Sequence, residues 1–129
     1  MTPEQFMLAE AGKAFRYGET DCAQVCARWV EHRTGINPLH AFGRSYDDEG
    51  AASWLSERRL VYSVRSVMRA AGFAATLEPR AGDVGVVASQ SFAAVAIRGA
   101  STWMFIQEHG GLSSISADLP VCQLAWRIP

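Results

Sequence analysis

The stretch Val84-Gly-Val-Val-Ala-Ser-Gln-Ser-Phe-Ala-Ala-Val-Ala-Ile97 decides the fold. It holds two short apolar runs, Val84 to Ala88 and Phe92 to Ile97, parted by small polar turn residues, which is the pattern of strands and not of a helix. The same pattern extends outward from it. Downstream lie Trp103 to Gln107, Leu112 to Ile115 and Cys122 to Ile128, and upstream Phe73 to Leu77 follows Gly72. The C-terminal half therefore reads as a sheet of about five or six strands.

Before Gly72 the period changes to that of a helix. Thr2-Pro-Glu-Gln5 is a capping box with Pro at the first helical position, and it opens a short helix with Phe6, Met7 and Ala11 toward a core. Gly18 breaks the chain, Thr20 or Asp21 caps a second helix, and Cys22, Val25, Cys26, Trp29 and Val30 recur at helical spacing up to Gly35. Asn37-Pro38, Gly43 and Ser45 make residues 36–46 a loop. A moderately helical stretch runs from Ala51 to Arg58, and Tyr46-Asp47-Asp48-Glu49 is an acidic helix start lacking the spacing of a calcium loop. A clearer helix carries Val61, Val64, Val67, Met68 and Ala71 and stops at Gly72. Helices first and strands afterwards give an α+β domain with an antiparallel sheet, since a parallel sheet requires alternation of the two.

One domain is expected across residues 1–129, because this length supports one core and shows no linker or repeat. Lysines and arginines total 12 against 13 carboxylates, and the arginines are scattered with no basic stripe, so nucleic acid is not an expected partner. No apolar run suits a membrane span, and the first residues lack a signal-peptide pattern, so synthesis and retention in the cytoplasm are expected. Cys22, Cys26 and Cys122 form no C-x-x-C pair, and His32, His40 and His109 lack ligand spacing; neither a disulfide framework, a metal nor a cofactor is expected. Of the tryptophans, Trp29 and Trp126 fall on core patterns, whereas Trp54 and Trp103 fit less clearly; partial burial is the expected reading, and a contribution to an exposed patch that a partner covers is the alternative.

Cys22 carries the chemistry of interest. A first-turn position on a helix favours thiolate through the partial positive charge and free N–H groups there. Free cysteines are also common small core residues, and that reading is kept for Cys26 and Cys122. For Cys22 the two readings stand side by side. Asp21 reads as the helix cap.

Phe15-Arg-Tyr-Gly-Glu-Thr-Asp-Cys22, with Trp29 and Thr34-Gly35, resembles the active-site segment of the NlpC-type papain-like cysteine peptidases. Ala81-Gly-Asp-Val84 resembles the start of that family's central sheet. Leu124-Ala-Trp-Arg-Ile128 resembles the closing strand of a small subset encoded among phage and prophage tail genes. The resemblance spans nearly the whole chain and implies helices packed on an antiparallel sheet, with Cys22 at the nucleophile position and Tyr17 as a cleft or oxyanion neighbour. It also implies a His at the start of the strand after Gly-Asp-Val, where this chain has Ala93 or Ala94.

Without that base a Cys–His pair loses general acid–base help typically worth ~10²–10⁴-fold. His109 is the candidate substitute, although its favoured reading is an exposed loop histidine beside the Gly110-Gly111 turn; His40 is a more distant one, and His32 lies too far along its helix. The expected function is accordingly a phage or prophage tail-tip component, partnered by other tail proteins and localised to the virion tail once assembled, with its catalysis weakened or lost. The alternative is an active hydrolase of peptidoglycan peptides using Cys22, with His109 or His40 as base. A third reading is a binding module for a non-peptide ligand, using the room left by the alanines.

Overall fold

The computed structural model describes residues 1–42 and 60–129. Four helices precede six strands: α1 (Pro3–Ala11), α2 (Cys22–Thr34), α3 (Pro38–Phe42), α4 (Leu60–Ala70), β1 (Ala75–Thr76), β2 (Val84–Ala88), β3 (Ala93–Arg98), β4 (Thr102–Ile106), β5 (Leu112–Ser116) and β6 (Cys122–Trp126). The strands form one antiparallel sheet in the order β1-β6-β2-β3-β4-β5, so the last strand lies between the first two. The α+β expectation holds.

The helix ends follow from local chemistry. Thr2 and Gln5 form the reciprocal capping box on α1. Asp21 caps α2, which stops at Gly35 in the left-handed conformation. Helix α4 ends in a Schellman motif: Phe73 N–H donates to the Met68 carbonyl at 3.0 Å, Gly72 N–H to the Arg69 carbonyl at 3.1 Å, and Gly72 takes φ 85°.

Two sequence expectations change. Residues 38–42, expected as loop, form α3, because the Asn37 side chain accepts from the N–H groups of Leu39 and His40 at 3.1 and 3.3 Å and Pro38 starts the turn. The run Phe73 to Leu77 contracts to the two-residue β1, with Leu77 fully exposed beyond it. The expectations for 43–59, including Trp54 and the Ala51–Arg58 helix, lie outside the described residues.

Alternation along the strands divides the core in two. Val84, Val86, Val95, Ile97, Met104 and Trp126 face the helices, where Met7, Val25, Trp29 and Val67 pack on them. Val87, Ala94, Ala96, Trp103, Phe105 and Ala125 form a second cluster with Val121. Trp103, a candidate for an exposed patch, is instead 2% exposed within this cluster. Its indole occupies the space above Gly85, where an added Cβ would lie 2.7 and 2.9 Å from the ring.

Candidate active site

A tight turn delivers Cys22 to its position. The Thr20 hydroxyl accepts from Arg16 N–H and donates to the Ala14 carbonyl, both at 2.7 Å. One Asp21 oxygen accepts from Gly18 N–H at 2.7 Å, and the other accepts from Ala23 and Gln24 N–H at 3.1 Å each. A single carboxylate thus closes the turn and caps α2. Arg28 secures the segment from behind, holding Glu10 of α1 through Nε at 3.1 Å and Nη2 at 2.8 Å while donating to the Glu19 carbonyl.

Cys22 is half-buried and packs against the fringe of both core clusters. Burial pushes its thiol up to about 11, outweighing the pull of the Val95, Ala23 and Cys22 backbone N–H groups, while the Asp21 charge adds to the upward push. The expected thiolate-favouring effect of the helix start is therefore present but overridden by desolvation. At neutral pH fewer than about one thiol in a thousand is ionised. Cys26, one turn further inside, is 3% exposed and pushed higher still by the same burial.

The influence of Val95 N–H on Cys22 places β3 against the α2 start. Ala93, Val95 and Ile97 share the helix-facing side of that strand, whereas Ala94 and Ala96 point into the second cluster. Cys22 packs against both clusters, so the strand beside it offers Ala93 on one face and Ala94 on the other. Phe15, Cys22, Ala93 and Leu112 all lie at the partly buried margin of the main core.

His109 does not complete a pair with this thiol. It belongs to the turn between β4 and β5, with φ 67° and a side chain 71% exposed. Its Nε2 lies 3.7 Å from Glu108 Oε1, and its ring lies 5.9 and 6.3 Å from those of Phe15 and Tyr17. Among the described residues no hydrogen bond joins His109 to Cys22. Tyr17 points the same way, its hydroxyl donating to Glu108 Oε1 at 2.8 Å. The Tyr17 and His109 readings therefore converge on Glu108, a residue the sequence reading did not single out. His40 is exposed on α3 and His32 is exposed beside Phe6 and Trp29. Among the described residues no group of three His, Cys, Asp or Glu side chains is placed to hold a metal ion.

The three sequence motifs meet physically. Trp29 Nε1 donates to the Gly82 carbonyl at 2.8 Å, joining the cysteine helix to the start of β2. Asp83, 1% exposed, accepts from Arg127 Nε at 2.9 Å, from Ile128 N–H at 3.0 Å and from Arg80 N–H at 3.0 Å. Arg127 also donates to Thr76 Oγ1 at 3.1 Å and to the Glu78 carbonyl at 2.7 Å. A cavity of about 30 Å³ lies deeper, between α2, α3, α4 and the sheet, with Cys26, Ala27, Leu39, Val64 and Met68 among its lining and almost no polar surface.

These features define an α+β domain with an open six-stranded antiparallel sheet and a capped cysteine helix laid across one face. The chain belongs to the family described as domain of unknown function DUF6950, whose family model matches residues 2–128. No curated protein and no solved structure matches it. Among the described residues no helix is long and apolar enough to cross a membrane.

Proposed function

We propose that this chain is a papain-like, NlpC-type domain acting as a structural component of a phage or prophage tail, with its cysteine chemistry weakened or lost. The observation that carries the loss of chemistry is a desolvated Cys22 against a strand, β3, that carries Ala93 and Ala94 where the resemblance implies an imidazole. General-base activation needs an imidazole within hydrogen-bond reach of the thiol, and alanine offers no group that exchanges protons. The turn, cap and helix that present Cys22 are intact, so the scaffold of a nucleophile persists without its partner. The tail assignment rests on the resemblance of Asp21-Cys22 paired with the terminal Ala125-Trp126-Arg127 to the tail-encoded subset, supported by the hydrogen bonds that tie both segments to Gly82-Asp83.

Two measurements test the reading. Purified protein incubated with peptidoglycan stem peptides is expected to show no turnover above a Cys22→Ser control; efficient cleavage lost in that variant overturns the inactive reading. Mass spectrometry of tail particles purified from induced cells is expected to find the chain as a fixed-stoichiometry component, and its absence from intact particles overturns the tail reading.

A further inference from the structure

The sheet has one edge built for extension. β4 and β5 pair with Thr102 opposite Ser116 and Ile106 opposite Leu112. Gln107 N–H donates to the Gly111 carbonyl at 2.8 Å, and Ala117 N–H to the Ser101 carbonyl at 3.0 Å, one at each end of the pairing. Antiparallel ladders alternate, so residues 111, 113, 115 and 117 bond inward to β4, while Leu112, Ser114 and Ser116 direct their backbone groups away from it. Among the described residues no strand pairs with β5 on that side. The Ser116 carbonyl already accepts from Leu119 N–H at 3.2 Å, which leaves the N–H groups of all three residues and the carbonyls of Leu112 and Ser114.

The usual protections of such an edge are missing. From Gly110 to Ala117 the chain carries no Lys, no Pro and no charge. The opposite edge differs, because β1 has two residues and its Thr76 hydroxyl is occupied by Arg127 Nη2 and Glu78 N–H, both at 3.1 Å. A sheet with one extensible edge joins another copy only through that edge, which closes the contact under a two-fold axis and forms no filament.

We propose that β5 pairs antiparallel with β5 of a second copy, centred on Ser114, to give a homodimer with a sheet continuous across both chains. That register places Ser114 against Ser114 of the second copy and Leu112 against its Ser116, so the Ser114 and Ser116 N–H groups meet the open Ser114 and Leu112 carbonyls of the second copy. It keeps Leu112, Ser114 and Ser116 on one face, with Ser113 and Ile115 on the other, and brings no like charges together. The dimer stands independently of the tail and peptidase readings.

Sedimentation of the full chain across the micromolar range is expected to show a concentration-dependent monomer–dimer equilibrium. Ser114→Pro, which deletes an outward N–H, and Ser114→Lys, which sets two cations on the axis, are each expected to give folded monomer, while Ser114→Ala dimerises as the wild type does. Amide exchange of Ser114 and Ser116 is expected to slow with rising concentration while that of Ser113 and Ile115 stays constant. A wild-type chain that remains monomeric, including one whose edge takes up another protein's strand, overturns the proposal. So does a dimer that persists in both folded variants.

Discussion

Cys22 combines a helix start that favours its anion with a setting that opposes it, and the balance is measurable. Iodoacetamide modification of Cys22 is expected to follow a titration with its midpoint near pH 11 and to be slow at neutral pH. The sign of the linkage is fixed: with the folded value raised above the unfolded one, the buried thiol contributes stability below the unfolded value, and this is lost as pH rises through about 11. Ala93→His is expected to lower that midpoint, because it sets an imidazole on the helix-facing side of the strand whose Val95 N–H acts on the thiol; an unchanged midpoint in a folded variant would remove Ala93 from the base position. Gly85 tests packing on the other side of the sheet. Gly85→Ala drives a methyl to 2.7 Å from the Trp103 ring and 3.2 Å from the Leu124 carbonyl, and overpacking of this kind is expected to cost about 1–3 kcal/mol by urea denaturation. The nucleophile position and its cap were legible in the sequence because spacing and capping chemistry are local. The burial that governs the thiol was not, because it depends on strands some seventy residues away.

At the scale of elements, α1 is held to α2 by an ion cluster as well as by apolar contact. Glu10 is 5% exposed, and although burial alone raises its carboxyl, the hydrogen bonds and charges of Arg28 and Lys13 bring the net value below the ordinary range. A depressed carboxylate contributes stability above its unfolded value near 4.5 and loses it as pH falls through the folded one. Wild type and Glu10→Gln are therefore expected to differ most in urea midpoint at neutral pH and to converge as pH falls below the ordinary carboxylate value of 4.5 and through the lowered folded one; a constant difference would deny the carboxylate this role. This cluster had a signal in the sequence that went unused. Glu10 follows Phe6 by four residues and Met7 by three, so a charge sits on the buried face of α1 and requires a partner. The α3 helix was missed for a different reason. Asn37 and Pro38 both suit a turn and also suit a helix start, and only the bonds from Leu39 and His40 N–H separate the two.

For the whole molecule, the block order of helices and strands was enough to read an α+β fold, since segregation is a property of order alone. Strand order within the sheet was not readable that way. Trp103 fits no clear pattern in the sequence because its packing partners Val121 and Ala117 come from the β5–β6 connection, beyond its own strand. Trp103→Ala is accordingly expected to destabilise by about 3–5 kcal/mol in urea denaturation, where an exposed tryptophan would cost little. The placement of β6 has a further consequence for how the protein is made. Because residues 122–126 pair with both β1 and β2, and Asp83 awaits Arg127 and Ile128, a ribosome that has exposed everything up to Pro120 has released a sheet with a gap in it. The cysteine helix, tied through Trp29 to Gly82, is fastened to the unfinished side. Domain closure thus waits for residues 122–128, and until they pair the chain presents β2, an almost wholly apolar strand, as an unsatisfied edge.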